Sequence, residues 1–283
     1  MMRMQLSRIR LENTGTPMKE QKTLRIVTYN IHRCVGLDRR RRPQRIVSVL
    51  QQIEPDIVGL QEVVSVRNGR PEDDQSKYIA DALQMEYKMG ITRTYRGGVF
   101  GNVLLSRLPF LSTRTFDLSH PGREERGCLH VDFGISKNHV LHVYNVHFGV
   151  AFRERRHQAR RMMNELMSTF ERQHGMRILL GDFNDWTRRL PTRLFSSHFS
   201  GEDIRRSLRT RRTYPGILPF IHLDHIYYDD KLVLRRVRIH KSPTSLIASD
   251  HLPLVADFTL HPAHRIGENR AVTSMTVSDL PCT

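Results

Sequence analysis

Strand patterns recur along most of this chain and alternate with only a few helical patterns, which limits the folds that it can adopt. The sequence opens with strand, helix and strand patterns at residues 24–32, 43–53 and 56–63, with a proline at the start of the helix. A second helix is predicted over 76–85. Residues 101–148 then contain several strands joined by short Gly, Pro, Ser or Asn turns, which favours antiparallel pairing.

The second half of the chain combines a long helix with further strands. The helix is predicted over residues 153–173, because its apolar residues form one stripe at helical spacing. Strands are predicted at 176–184, 223–228, 232–240 and 252–260. Two halves that each begin with strands and carry helices outside are satisfied by two sheets packed face to face, with helices on both outer faces.

The length of the chain allows one large domain or two small ones, and we expect a single domain. A chain of 283 residues that is 39% hydrophobic can bury a sizeable core. We expect this domain to span residues 23–260, with flexible tails at 1–22 and 261–283 that show no periodicity.

Targeting signals and cysteines bear on the compartment. No stretch of 18 or more apolar residues is present, and the basic start "MMRMQLSRIR" lacks the apolar region of a secretory signal, so we expect a cytoplasmic protein without a transmembrane segment. An odd, scattered set of cysteines argues against both a disulfide framework and a zinc site, and it fits a reducing compartment. These are Cys34, Cys128 and Cys282.

The charge of the chain raises the question of a phosphate-bearing partner. The net charge is +16, and only 7 of the 45 basic residues are lysine. Arginine presents a planar fork of donors that matches phosphate oxygens in pairs. The densest runs, "DRRRRPQR" at 38–45 and "RRSLRTRR" at 205–212, are predicted loops. They are either binding loops for a polyanion or an arginine-rich solvated surface.

Four predicted strands carry an apolar stripe that turns polar at its carboxyl end. By alternation Glu62 shares a face with Val58 and Leu60, and the other three strands show the same pattern. A buried polar group costs roughly a few kcal/mol unless it is satisfied, so four such strands predict one polar site at one end of the sheets. The polar residues on these stripes are Asn30, Glu62, Asn145 with His147, and Asp182 with Asn184.

Seven short blocks carry a family resemblance. They are, in order, "TYNIH", "LQEV", "GNVLLSRLP", "NVHF", "GDFND", "LDHIY" and "SDHLPL". Over residues 24–260 the chain resembles a small bacterial member of the endonuclease/exonuclease/phosphatase superfamily, which includes DNase I, apurinic endonucleases, sphingomyelinases and inositol-polyphosphate 5-phosphatases. The resemblance implies an α/β (α+β) fold, a four-layered α/β/β/α sandwich with two mostly antiparallel sheets. It also implies a magnesium ion and hydrolysis of a phosphate ester by water.

The resemblance implies a metal and a nucleophile site at particular residues. Glu62 is implied as the principal metal carboxylate, with Asn30 beside it and Asp250 as a further oxygen ligand. Oxygen ligands suit Mg²⁺, with Mn²⁺ as an alternative. Asp182 is implied to orient or deprotonate the attacking water, and Asn184 to donate to the phosphate.

The remaining implied roles concern charge on the phosphate and the leaving group. His251 would contact the phosphate or its attacking water and be held by Asp224, while His147 would act as the acid near the leaving group. Arg126 and Tyr214 match weaker blocks, for which substrate contact and a structural role are both open. Trp186 could line the pocket or belong to the core.

Three functional hypotheses follow from these residues. The first is a magnesium-dependent nuclease or nucleic-acid phosphodiesterase, and the second is a phosphodiesterase or phosphatase for a lipid head group or small ester at an anionic membrane surface. A catalytically silent binding module is disfavoured, because the implied catalytic set is intact. His32 stands where apurinic endonucleases have an acid, which argues against that particular activity. No obligate protein partner is evident.

Overall fold

The computed structural model describes residues 23–136, 139–170, 175–185, 194–196, 199, 213–215 and 221–260. Some predictions from the sequence lie outside these residues: those for the tails at 1–22 and 261–283, for Trp186, for Cys282 and for the arginine run at 205–212.

The described chain contains strands and helices in the alternation that the sequence predicts. The strands are β1 (Leu24–Asn30), β2 (Ile57–Ser65), β3 (Glu86–Tyr95), β4 (Gly98–Ser106), β5 (Phe110–Asp117), β6 (Gly127–Ser136), β7 (His139–His147), β8 (Met176–Asp182), β9 (Asp224–Tyr228), β10 (Leu232–Ile239) and β11 (Leu254–Leu260). The helices are α1 (Pro43–Ile53), α2 (Gln75–Leu83), α3 (Phe152–Phe170) and the short α4 (Ser245–Ala248).

The strands form two sheets. The first has the order β10-β11-β1-β2-β4-β3, and the second has the order β5-β6-β7-β8-β9. Each sheet contains one parallel pair, β1 with β2 and β7 with β8, and every other neighbouring pair is antiparallel. In both cases a helix-containing connection joins the parallel strands, as parallel pairing requires.

Alternation along the strands divides the apolar residues among three layers of packing. Residues such as Ile26 on β1 and Leu180 on β8 pack together between the sheets. On the outer side of the first sheet, Val27 packs with Leu50 of α1. On the outer side of the second sheet, Tyr144 packs under α3. This arrangement confirms the predicted four-layered sandwich.

One strand was missed by sequence analysis. β3 lies at the edge of the first sheet and pairs only with β4 within it. Most of its side chains are exposed or half-buried, so the apolar alternation that identifies a buried strand is absent from "EYKMGITRTY".

Two further expectations can be compared with the described residues. Cys34 and Cys128 are both buried free thiols, and burial raises the pKa of each. Among the helices that the structure describes, none combines the length and the apolar character needed to cross a membrane.

Candidate active site

The parallel pair in each sheet brings polar strand ends to one edge of the sandwich. Asn30 ends β1 and has Gln61 of β2 as its register partner. On the second sheet His147 ends β7 opposite Asp182, and Asp182 is in turn opposite Asp224 at the start of the antiparallel strand β9. The structure therefore places these predicted site residues at neighbouring positions of two facing sheets.

Asp182 lies at the centre of this site and is 1% exposed. Its Oδ2 accepts a 3.0 Å hydrogen bond from Asn30 Nδ2, and its Oδ1 accepts one of 2.9 Å from the backbone N–H of Asn184. The same Oδ2 lies 3.6 Å from Nε2 of both His147 and His251. Burial raises the pKa of Asp182 to about 7, against the lowering effect of the His251 charge. Such a carboxylate can accept a proton near neutral pH.

His251 is held as a cation by carboxylates. Its Nδ1 donates a 2.9 Å hydrogen bond to Asp224 Oδ2. Burial alone lowers the pKa of His251, but the charges of Asp224 and Asp182 outweigh it and raise this pKa to about 10. The ring of Tyr214 lies 4.9 Å, between centroids, from the His251 ring, so the structure brings Tyr214 to the site as well.

His147 has the opposite environment. Arg126 Nη1 lies 3.0 Å from its Nδ1, and because a guanidinium can only donate, Nδ1 accepts and the proton of the neutral ring lies on Nε2. Burial, followed by the charges of Arg126 and His251, lowers the pKa of His147 well below its ordinary value. Asn184 Nδ2 donates a 2.8 Å hydrogen bond to the carbonyl of Phe148; it also lies 3.4 Å from His147 Nε2, but in this tautomer both groups are donors and do not hydrogen-bond.

The predicted metal residues lie at the open side of the site. Glu62 Oε1 accepts a 3.2 Å hydrogen bond from Asn30 Nδ2, while Asn30 Oδ1 accepts one of 3.0 Å from the backbone N–H of His32. The side chains of Glu62 and Asp250 are 23% and 27% exposed and line the same cleft. Two water-accessible carboxylates beside an amide oxygen, without thiolates, fit a hard divalent cation that keeps some of its waters.

Glu62 reaches the site by a different route from the predicted one. Val58 and Leu60 face the outer helices, so the prediction that Glu62 continues an inner stripe with them was wrong. The inner position is occupied by Gln61, whose Nε2 donates a 2.7 Å hydrogen bond to Asn145 Oδ1. The register of β2 against β4 shifts after Leu60, and Glu62 has a φ of 56°. A bulge of this kind redirects a side chain, here towards the site.

Left-handed backbone conformations concentrate at this edge. Three consecutive residues, His32, Arg33 and Cys34, have φ values of 45°, 56° and 58°, and Asn184 has a φ of 47°. Each such conformation costs about 1–3 kcal/mol outside glycine and persists only where the surrounding structure enforces it. The turn is fixed by Gln75, whose Nε2 donates a 2.7 Å hydrogen bond to the Arg33 carbonyl. It presents His32 and Arg33 to the cleft.

Glycine is required next to the central carboxylate. Gly181 has a φ of 143°, and a Cβ at this position would lie 1.9 Å from the carbonyl oxygen of Val146 on β7. This close approach of β8 to β7 explains why a glycine precedes Asp182.

A cleft of about 260 Å³ opens beside the carboxylates. Within this cleft Glu124 forms ion pairs with two arginines, at 2.7 Å to Arg126 Nη2 and at 2.5 Å to Arg93 Nη2. Sequence analysis missed Arg93 and Glu124, because one lies in the unrecognised strand β3 and the other in a loop without a motif. The cleft is lined by His32, Arg33, Glu62, Arg93, Phe100, Glu124, Arg126 and Asp250.

A second cleft of about 430 Å³ adjoins the first and shares Arg33 with it. Its lining includes Arg41, Tyr95 and Arg96. Arg41 belongs to the arginine run at 38–45 and forms an ion pair with Asp73. One residue of a dense arginine run therefore lines a depression that shares Arg33 with the cleft at the site.

The sequence matches the Endonuclease/Exonuclease/phosphatase family over residues 27–251. The chain therefore belongs to this family, whose nucleases and phosphatases are hydrolases of phosphate esters. A comparison with the curated proteins returned no match to this sequence.

Several solved structures share the fold. An endonuclease/exonuclease/phosphatase from Beutenbergia cavernae is 22% identical, with a TM-score of 0.65, and the match covers 85% of this chain and 72% of that one. A mannosyl-6-phosphatase from Bacteroides thetaiotaomicron is 18% identical, with a TM-score of 0.66 and coverages of 84% and 100%. The human Nocturnin catalytic domain, solved with a bound sulfate, is 18% identical, with a TM-score of 0.64 and coverages of 84% and 95%. At these identities the likeness concerns the fold alone.

Proposed function

We propose that this protein is a divalent-metal-dependent phosphodiesterase of the nuclease type. The observation that carries the proposal is the position of Asp182, a buried carboxylate whose Oδ2 lies 3.6 Å from one charged and one neutral histidine. A phosphodiester carries negative oxygens that repel a nucleophile, so its hydrolysis needs a base for water and donors for the phosphate within one small volume.

Glu62 and Asp250 would hold the metal, with Asn30 positioning Glu62 and offering its remaining oxygen lone pair. Mg²⁺ or Mn²⁺ in that position would supply positive charge against the phosphate oxygens. The fit rests on the donor chemistry described above, two cleft-facing carboxylates and one amide.

The other residues of the site divide the proton transfers among them. Asp182 accepts the proton of the attacking water, and Asn30 holds its carboxylate in place. His251 donates from Nε2 to a phosphate oxygen, because Asp224 fixes its Nδ1 proton. Asn184 donates to the phosphate through the amide hydrogen that Phe148 leaves free.

His147 serves the leaving group as a neutral donor. Arg126 fills its Nδ1, so the proton on Nε2 is the one available. This differs from the predicted acid role, because the lowered pKa leaves the ring neutral and a neutral imidazole is a very weak acid; His147 would hydrogen-bond to the leaving oxygen, and water would supply the proton that this oxygen takes up.

The arginines favour a polyanionic diester over a small ester. Arg33, Arg93 and Arg126 line the first cleft, and Arg33, Arg41 and Arg96 line the second. A path of guanidinium groups leading away from the scissile position matches a chain of successive phosphates.

The test is a substrate panel assayed with Mg²⁺. It compares single-stranded DNA, RNA, phospholipid vesicles, a bis-aryl phosphodiester and an aryl phosphomonoester, with Asp182→Asn as the matched inactive variant. We expect hydrolysis of a nucleic acid and of the bis-aryl diester, lost in Asp182→Asn. Hydrolysis of phospholipid alone would show that the substrate is a lipid, and hydrolysis of the monoester alone would show that the enzyme is a phosphomonoesterase; either result would contradict the proposed substrate class. Activity that is equal in Asp182→Asn would reject the site.

A further inference from the structure

Three buried side chains of metal-binding type lie together on the outer face of the second sheet, outside the candidate active site. His130 and Asp132 are two residues apart on β6 and so project from the same face, and His142 is the register partner of Asp132 on β7. Leu129 and Val131, which alternate with them, face the core between the sheets. The cluster therefore lies on the side of the sheet opposite to that core.

The distances within the cluster are those of a small ligand set. Asp132 Oδ1 lies 2.6 Å from His142 Nδ1 and 2.8 Å from His130 Nε2, and one ligand atom from each residue lies within 4.8 Å of the others. The three residues are only 1–8% exposed. Ligand atoms of a tetrahedral zinc ion are about 3.3 Å apart, given Zn–N and Zn–O bonds of about 2.0–2.1 Å. Small side-chain rotations would therefore make room for an ion.

Hydrogen bonding accounts for only part of this arrangement. Ser112 Oγ donates a 2.6 Å hydrogen bond to Asp132 Oδ2, and His142 Nδ1 bonds to Oδ1. His130 Nε2 pairs with the same Oδ1 at 2.8 Å, whereas His130 Nδ1 and His142 Nε2 are buried without a hydrogen-bond partner among the described residues, and the His130 ring is stacked on Tyr144 at 4.1 Å between centroids. Buried polar atoms without partners are rare, and two imidazoles that converge on one buried carboxylate form a ligand set of the kind that binds a metal ion.

The charges around the cluster permit a cation. Arg114 on β5 is the register partner of His130, but it is exposed to solvent. Arg177 on β8 is the register partner of His142 and has Asp229 at 3.8 Å, which offsets its charge.

We propose that His130, Asp132 and His142 bind one transition-metal ion of the Zn²⁺ class, separately from the catalytic metal. Two imidazoles and one carboxylate favour Zn²⁺ or Co²⁺ over Mg²⁺, which prefers oxygen ligands. Ser112 orients the ligand carboxylate, and a water completes the coordination. This proposal departs from the prediction against a zinc site, which was drawn from the cysteines and did not consider histidine and carboxylate ligands. The bound ion cross-links β6 to β7, the strand that carries His147, and stabilises the second sheet.

The test is a Co²⁺ titration of the full chain in a large excess of Mg²⁺. The Mg²⁺ occupies metal sites made of oxygen ligands, including the proposed catalytic site, and so keeps Co²⁺ out of them. Tetrahedral Co²⁺ with nitrogen ligands absorbs visible light strongly, whereas octahedral Co²⁺ absorbs weakly. We expect one equivalent of Co²⁺ to produce the strong spectrum and Zn²⁺ to displace it. Absence of the strong spectrum in the wild-type protein overturns the proposal without any variant.

Variants locate the ion. His142→Gln should lose the spectrum and the rise in Tm that Zn²⁺ produces, while Glu62→Gln and the control His120→Gln, outside both sites, should keep both. Asp132→Asn keeps the side-chain volume and an oxygen for Ser112, and it replaces His142→Gln if that variant does not fold. An unchanged spectrum in a folded variant of the cluster assigns the ion elsewhere and rejects the proposal. Because no readout uses catalysis, the result is independent of the proposed phosphodiesterase activity.

Discussion

Replacing Asp182 by asparagine tests the proposed mechanism most directly. Asparagine keeps the volume and one oxygen that can accept from the backbone N–H of Asn184, as Asp182 Oδ1 does at 2.9 Å. It places an NH₂ group where Oδ2 lies between His147 and His251. The variant therefore keeps the shape of the site but has no group that can accept a proton from water.

The size of the effect follows from the role. General-base catalysis supplies ~10²–10⁴-fold, which corresponds to about 3–6 kcal/mol of activation free energy at about 1.4 kcal/mol per tenfold. His251→Ala removes a charged donor, which is worth ~10²–10³-fold. Asp182 Oδ2 and His251 Nε2 lie 3.6 Å apart, and both side chains are proposed to act on one transition state. The loss of kcat in the double variant should therefore be smaller than the product of the two single losses.

The assay compares kcat for the wild type, both single variants and the double variant at saturating Mg²⁺ with one substrate, after circular dichroism confirms folding. Asp229→Asn is the matched control, because Asp229 is a buried acid outside the site whose pKa burial raises to about 6. We expect near-wild-type kcat for this control. Near-wild-type kcat in a folded Asp182→Asn protein would refute the role of Asp182 as the base. Fully multiplicative losses would place the two residues in separate steps.

Three further predictions follow from the same geometry. EDTA should abolish hydrolysis, Mg²⁺ should restore it, and Glu62→Gln should raise the Mg²⁺ concentration for half-maximal rate; a titration of rate against Mg²⁺ in both proteins checks this. The rate should rise with pH as Asp182 loses its proton near pH 7 and fall as His251 loses its proton near pH 10. Asp224→Asn removes the charge that contributes most to raising the pKa of His251. The pH–rate profile of this variant should therefore begin to fall at a lower pH than that of the wild type. Gly181→Ala should lower Tm by several degrees because its Cβ meets the Val146 carbonyl at 1.9 Å, and thermal unfolding measures this.

Much of the fold and part of the site could be predicted because they follow from local periodicity. A strand with one apolar face shows period two whatever its partners are, so β1, β7 and β8 and their polar ends could be identified from the sequence. The same counting placed His147 and Asp182 on the inner face, where the structure has them. Which of these side chains touch, and at what distance, depends on register between strands far apart in sequence.

The rest of the site depends on departures from periodicity. Glu62 lies beside the other predicted site residues, but it was predicted on the wrong face, because a bulge with a left-handed residue cannot be recognised from side-chain alternation. Arg33 reaches the cleft through a left-handed turn that no residue preference predicts. Sequence analysis also missed the cluster of His130, Asp132 and His142. It identified strands β6 and β7 but not their register, and only the register brings the three side chains together.

The two histidines of the site show how environment, and not residue type, assigns chemistry. His147 and His251 lie at the same distance, 3.6 Å, from the same carboxylate oxygen, yet their pKa values move in opposite directions. The difference lies in the group behind each ring, which is a guanidinium for His147 and a second carboxylate for His251. Because Arg126 accompanies one ring and Asp224 the other, the site holds a neutral and a charged donor on either side of one carboxylate. A phosphate placed between them would meet positive charge on the His251 side and a fixed neutral N–H on the other, which orients the ester for attack in one direction.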